Sequence, residues 1–496
     1  MQQVLVLGGG ASGLAAALAA ARAGARVTVL ERNAKPGKKL LATGNGRCNL
    51  DNTGIAPERY FTSDPAGLKP LLAAVNAADP LGWFESLGLY TRTDEAGRVY
   101  PYSNQAADVL ALLEHHLEKY NVRIRCGCTV RSLSQSRGGY AVQFVNADGQ
   151  PESLRTDAVI CAMGAAAAGP QFGTDGFGTT FAAQCGGKLA PLYPCLTALQ
   201  IAKPQKALAG IRAKATASLL DGKTLLAAET GEVQFTDYGL SGICIMQLSG
   251  LLAPGRGPKQ PAVELDLFPA LDEAALAALF AARPPRLAGD SPAEFWLGLV
   301  HPKLGRALWA AARLPETSLH ALPPQAWQTL ARTAKHWRFE GLTPCGWKQA
   351  QTTGGGLCLN EMDERFQFQG CPGLYFVGET LDCAGSCGGR STSTGLLAAA
   401  WWPGAVRQSL PGPQSPQTPK RNADTTKGRP LMADALCFAV FYSLTAWPPR
   451  ISSSASASAS RACLASSAAS ASSAFWYSAK TDHMGGMSLP FTLRSR

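Results

Sequence analysis

Three glycines, Gly8, Gly10 and Gly13, stand between a short apolar run and an Ala/Leu-rich stretch, and they fix how this chain must start. Val4–Leu7 reads as a strand, Leu14–Ala23 as a helix closed by Gly24, and Val27–Leu30 as a second strand. That is a parallel βαβ unit with a right-handed crossover, and it makes the fold class α/β. Each glycine has its own task. Gly8 permits the tight turn, Gly10 lets the backbone approach a pyrophosphate, and Gly13 lets the helix pack on the strand. Ala11 and Ser12 open the helix, where unpaired N–H groups and partial positive charge favour an anion. Glu31 ends the second strand, where a carboxylate accepts from both ribose hydroxyls and repels a 2′-phosphate; Arg32 follows it as a further candidate. The unit alone does not separate FAD from NAD.

The next segment, Lys38-Lys39-Leu40-Leu41-Ala42-Thr43-Gly44-Asn45-Gly46-Arg47-Cys48-Asn49, closely resembles a signature of the BaiN/YhiN-like FAD-dependent oxidoreductases. Ala158–Gly164 followed by Gly173-Thr-Asp-Gly-Phe-Gly178 is similar to another of its segments, with Met163 where threonine is usual. The far end matches as well, through Thr353-Gly-Gly-Gly356, Pro372-Gly-Leu-Tyr-Phe-Val-Gly378-Glu379, Leu381-Asp382 and Cys387-Gly388-Gly389. The resemblance spans about residues 1–389 and implies bound FAD.

On this resemblance, Gly44 and Gly46 let the chain lie against a flat cofactor, while Lys39, Arg47 and their neighbour Lys38 neutralise phosphate. Val130 offers backbone groups to the adenine, and Gly164 closes the turn after its strand. Glu379, after Gly378, holds a ribityl hydroxyl. Gly388 and Gly389 make room for the isoalloxazine. Cys48 and Asn49 complete the cofactor set, with Cys48 read as a thiol packed near the flavin without chemistry. Cys383 and Cys387 are likewise read as packed thiols rather than a redox disulfide.

The expected architecture is a discontinuous Rossmann-like FAD-binding domain, residues 1–190 and 341–389, with an inserted mixed β-barrel/helical domain at 191–340. The insert has helices about 271–313, with Leu271–Ala282 and Ala293–Arg313 as two of them. It should cover the flavin and set substrate choice. Within it, Phe235-Thr236-Asp237-Tyr238-Gly239-Leu240-Ser241-Gly242 resembles a family motif, with Asp237 where histidine is usual and Ile243 where proline is usual. No catalytic acid is assigned, and no metal site.

A net charge of +11 would point to nucleic acid were it spread over the chain. It is not. Of the 46 basic and 35 acidic residues, positions 390–496 hold eleven and three, which leaves 35 and 32 in the body and a net charge there of +3. The expected partner is a small-molecule substrate, with no nucleic acid and no membrane, in the cytoplasm. Fourteen cysteines are scattered without a secreted-scaffold spacing. Cys126 and Cys128 read as two thiols on one face of a strand.

The function these features imply is an FAD-dependent oxidoreductase passing a hydride between flavin and a small organic substrate. NAD(P)H stays open as a transient electron donor, since no second nucleotide-binding unit is visible. A flavin-dependent oxidase using O₂ and a non-catalytic or inactivated flavin-binding protein share the same motifs.

After Gly389 the pattern breaks. Ser452–Ser460 alternates Ser and Ala, and 390–496 reads as an atypical low-complexity tail, frameshifted or disordered. Its apolar run Leu431–Trp447 contains Asp434 and is marginal in length for a bilayer span. Trp401-Trp402 must be encoded TGG TGG, and in the frame starting one base earlier the codons permitted across Thr392–Gly404 spell Leu-His-Trp-Ala-Ala-Gly-Gly-Gly-Leu-Val-Ala-Gly. That is the segment the family places here. Resequencing the gene around the Gly389 codon should therefore restore this segment, and an uninterrupted frame in several isolates would end the idea.

Overall fold

The computed structural model describes residues 1–388 apart from positions 78, 137 and 364; Gly389, the tail 390–496 and the run Leu431–Trp447 lie outside the described residues. The opening unit forms as its pattern requires: β1 (Gln3–Leu7), α1 (Ala11–Arg22) and β2 (Arg26–Leu30). Around it runs a five-stranded parallel sheet in the order Leu374–Phe376, Ala158–Cys161, β1, β2, Arg123–Arg125. Val4–Leu7 are all buried, as a central parallel strand covered on both faces demands. One edge strand comes from near the far end of the described chain, so the sheet is complete only when the chain returns.

A three-stranded antiparallel sheet of Thr129–Ser136, Gly139–Val145 and Pro151–Thr156 packs into the same core. Tyr140 stands opposite Thr156 and Gln143 opposite Ser153, the pairing expected across the Asn146–Gly149 turn. Cys126 and Cys128 are not on a strand. They flank Gly127, whose φ of 71° turns the chain between two strands.

The middle of the chain builds a separate core. Seven antiparallel strands run in the order Trp337–Glu340, Pro261–Asp266, Arg212–Asp221, Thr224–Phe235, Gly239–Ser241, Leu199–Gln200, Thr343–Pro344. The two end strands are consecutive in sequence, and Ala202 N, just beyond the Leu199–Gln200 strand, donates to Glu340 O of the other end strand at 2.9 Å. The sheet therefore curls toward closure. Leu189–Cys195, on the way in, pairs antiparallel with Thr352–Leu357, on the way out.

Helices cover this sheet through an aromatic cluster of Phe280, Phe295, Trp296, Trp309 and Trp327, with ring centroids 5.0–6.4 Å apart. The first helix, Glu273–Ala281, lies where the sequence places it. The second is broken into Pro292–Phe295 and Pro302–Ala311. Gly298 takes φ 78°, and Pro302 forces His301 out of the helical region to φ −56°, ψ 133°. A further helix, Pro324–Lys335, is additional to the expected set. No helix among the described residues is long and apolar enough to cross a membrane.

Gly305 lies against the Trp296 indole so closely that a Cβ there would overlap the ring. Gly305→Ala should destabilise the insert's core by about 1–3 kcal/mol through overpacking, read as a lowered denaturation midpoint. An unchanged midpoint would mean the aromatic cluster yields without cost.

Candidate functional site

A cavity of about 880 Å³ opens where the parallel strands end, lined by Gly8, Gly10, Ala11 and Ser12 on one side and by Gly378, Glu379 and Gly388 on the other. Open α/β sheets place ligands at this end of their strands. The three glycines separate by physical cause. Gly8 has φ 102°, and its N–H donates to Leu30 O at 2.8 Å. At Gly13 a Cβ would overlap the Gly8 carbonyl oxygen, so this glycine serves packing and does not line the cavity. At Gly10 a Cβ would meet nothing within 4 Å. The first helical hydrogen bond of α1 is Leu14 N to Gly10 O at 2.9 Å, and neither a capping side chain nor an acid occupies its first turn. The N–H groups of Ala11, Ser12 and Gly13 thus have no partner within the helix.

Glu31 is buried and held rigid. Its Oε2 accepts from Gly9 N at 2.6 Å, and its Oε1 accepts from Asn33 N and Asn33 Nδ2, both at 2.7 Å. Acceptor capacity remains on Oε2. Arg32 also lines the cavity, but its guanidinium is committed to Asp175 and to the Gly173 carbonyl. Burial pushes the Asp175 carboxyl up, yet hydrogen bonds from Arg32 and from Phe177 N outweigh it and leave the group below the ordinary carboxylate value. Val130 lines the cavity at a bulge, the register slipping between Val130 and Ser132. Such a bulge frees backbone groups from the ladder. Gly164, at φ 70°, lines it too, with open space where a Cβ would go.

The two ends of the chain are tied together at this cavity. Lys39 forms an ion pair with Glu379, 340 residues away. Glu379 Oε1 accepts from Thr353 N at 2.8 Å, and Thr353 Oγ1 accepts from Ala166 N and Ala167 N at 3.1 and 3.0 Å. Gly378 comes so near α1 that a Cβ would lie 2.5 Å from Ser12 Oγ. Gly388 O accepts from Asn52 Nδ2 at 2.9 Å.

Of the sites named in the Lys38–Asn49 segment, Lys38, Lys39, Gly44, Arg47 and Asn49 line the cavity, whereas Gly46 and Cys48 do not. Arg47 lies over the Tyr100 ring at 4.9 Å. Asn49 Oδ1 is buried without a hydrogen-bond partner among the described residues. Cys48 is fully buried, and burial pushes its thiol up to about 11 against a smaller lowering by the Thr43 hydrogen bond. It is a packed, protonated thiol. No disulfide forms among the described residues, Cys383 and Cys387 included, and Cys383 is raised further by burial. Asp237 sits exposed outside the cavity, and its turn buries Leu240. Among the described residues no cluster of three or more His, Cys, Asp or Glu is placed to hold a metal.

The single-residue reading of the sequence left out Asn33, Asp175, Arg59 and Gln247. The first two hold Glu31 and Arg32, and the last two line the cavity. Asp175 lies inside the quoted Gly173–Gly178 motif; the others carry no local signal.

Residues 2–406 match the family described as HI0933-like protein Rossmann domain. The chain is 36% identical over 408 residues to the 3-dehydro-bile acid delta(4,6)-reductase of Clostridium scindens, an alignment covering 80% of this chain and 98% of that one. It is 28% identical over 398 residues to the ribosomal RNA dihydrouridine synthase of Escherichia coli, covering 78% and 93%. Among solved structures, the open conformation of a flavocytochrome c3 fumarate reductase aligns with a TM-score of 0.42 at 14% identity, over 82% of this chain and 78% of that one.

Cys48, Cys185 and Cys244 are each raised by burial from the ordinary 9.0 to about 11. Unfolded thiols ionise near 9.0, while the folded ones keep their protons, so stability is complete below that pH and is lost as pH rises toward about 11. The urea midpoint should fall across this window, and Cys48→Ala should remove part of the fall. A flat midpoint would refute the burial-driven shifts.

Proposed function

The chain belongs to the HI0933-like Rossmann family and is an oxidoreductase of that flavoprotein family, and we propose from that premise that its cavity binds FAD. The donor set fits such a dinucleotide. Unpaired N–H groups at the start of α1 and the ammonium of Lys39 suit a diphosphate, with Gly10 leaving the space it needs. Arg47 lines the same wall. Glu31 suits the adenosine ribose, Val130 the adenine, and Glu379 a ribityl hydroxyl. Gly44 and Gly388 suit the ring. The orphaned Asn49 Oδ1 accepts what a ring N–H donates. A bound flavin supplies the hydride chemistry that side chains lack.

The reaction we propose is reduction of a carbon–carbon double bond conjugated with a ketone in a small organic substrate, with NAD(P)H as transient electron donor. The 36% identical relative is named for a reaction of that kind. The 28% identical relative is named for an RNA substrate. For this chain we keep the small-molecule reading, because the body carries a net charge of only +3 once the tail is set apart. The chain's own task is then to hold both reactants and fix the electrostatics of the cavity.

The observation that carries this reading is the contrast between Gly10 and Gly13. Gly10→Val adds a side chain into open cavity at an extended backbone position (φ −77°, ψ −175°) that any residue adopts. The variant should melt like the parent but bind FAD more weakly by on the order of 100-fold or more. Gly13→Ala should instead fail to fold. The parent, incubated with FAD and desalted, should stay yellow and bleach with NAD(P)H. If Gly10→Val retains the flavin, the site is misassigned.

A further inference from the structure

Arg59 stands where three elements meet. It ends the turn Pro57–Arg59, just before the short strand Tyr60–Phe61. That strand pairs with Ala384–Gly385, Gly385 lying opposite Tyr60, and the Arg59 carbonyl accepts from Ser386 N at 2.8 Å. Its backbone is thereby fixed against Ala384–Ser386, which leads into Gly388 at the ring end of the cavity in the reading above.

Across from it lies the insert. One guanidinium nitrogen of Arg59 faces Glu229 Oε1 at 3.5 Å, while Glu229 Oε2 accepts from Gln247 Nε2 at 2.7 Å. Arg59 and Gln247 both line the cavity; Glu229 does not, and stands behind them. A single carboxylate on the strand Thr224–Phe235 therefore holds two cavity-facing donors, one from the Rossmann body and one from the insert's helix Ile243–Ser249. The seam is fixed nearby by Arg256, which donates to Thr62 O at 2.6 Å, and by the Phe61 ring, which leaves no room for a Cβ at Gly250. Ile243 adds an apolar, half-exposed surface to the same wall.

Three other cavity cations are paired more tightly. Arg32 pairs with Asp175, Lys39 with Glu379, and Arg98 Nε with Asp94 at 2.7 Å. Arg59 has five N–H donors, and its pair with Glu229 is the longest of these four.

We propose that Arg59 is a catalytic residue that receives the substrate's carbonyl oxygen, with Gln247 beside it and Glu229 as the positioning residue for both; this rests on the flavin reading above. In the reduction, the β-carbon gains a hydride, whose two electrons come from the reduced flavin, and the carbon–carbon π pair shifts toward the carbonyl. The oxygen then carries negative charge until the α-carbon takes a proton from solvent. A guanidinium stays charged at every working pH and presents a fixed fork of donors to that oxygen. Ile243 and the apolar wall receive the hydrocarbon skeleton.

The test uses the FAD-loaded full chain and a bile-acid ketone conjugated with a ring double bond. Arg59→Ala should keep the parent's flavin spectrum and photoreduction but lose turnover by about 10²–10³-fold, as removal of an oxyanion donor does elsewhere. Arg59→Lys should recover little of it, and added guanidinium should restore part of the Arg59→Ala rate. Glu229→Gln should lose about tenfold, mainly in kcat, without rescue by guanidinium. Turnover of Arg59→Ala within about twofold of the parent would overturn the proposal. So would a yellow parent protein inert to the ketone, leaving the flavin reading intact. A parent that binds no flavin would overturn that reading itself.

Discussion

The approach of Gly378 to the first turn of α1 is the contact on which the cavity depends. Ser12 and Gly378 are far apart in sequence, yet a single added carbon at Gly378 would collide with the serine side chain. The approach is held by three independent ties: the edge strand Leu374–Phe376 on Ala158–Cys161, the Lys39–Glu379 ion pair, and the Thr353 hydroxyl accepting from Ala166 and Ala167. Contacts of such sequence separation form only after most of the chain is ordered. Neither half of the cavity exists alone, because the N-terminal unit supplies the helix start and the returning segment supplies the opposite wall.

That dependence explains what the sequence disclosed. The βαβ unit was legible because its signals are local: an apolar run, glycines at fixed offsets, a helical period and an acidic residue at the next strand end. Glu31, Gly8 and Gly10 of that unit line the cavity, and so does Val130, which the resemblance names and that local pattern does not. Gly13 and Cys48 have the packing roles the sequence suggested, one against the strand turn and the other sealed in the core, and neither lines the cavity although both belong to its motifs. Motif membership does not say which way a residue faces.

Other features were hidden for a different reason. Asn33, Asp175, Arg59 and Gln247 act through partners distant in the chain or across a turn, and single-residue inspection has no access to such pairs. The Ala293–Arg313 stretch shows a local signal outweighed by a broad one. Its apolar content argued for one helix, but Gly298 and Pro302 carried the break in plain sight. Pro324–Lys335 had the helical spacing of Ala326, Trp327, Leu330, Ala331 and Ala334, all buried on one face, and was masked by its polar remainder.

The electrostatics of the cavity follow from its pairing. Arg32, Lys39 and Arg98 each stand opposite a carboxylate, while Lys38, Arg47, Arg131 and Lys348 line the same cavity without one among the described residues and leave its wall positive. A dianionic diphosphate in such a wall meets directed N–H groups and the partial charge at the start of α1 as well as those cations. Directed donors also demand a close approach, and that is why Gly10 has no side chain where space is plentiful. At the opposite end the balance changes. Arg59 is held at 3.5 Å by a carboxylate that it shares with Gln247, so its charge is the least neutralised of the four pairs. The same seam joins the insert to the body, so whatever moves the insert moves Glu229, and with it the guanidinium that Glu229 holds.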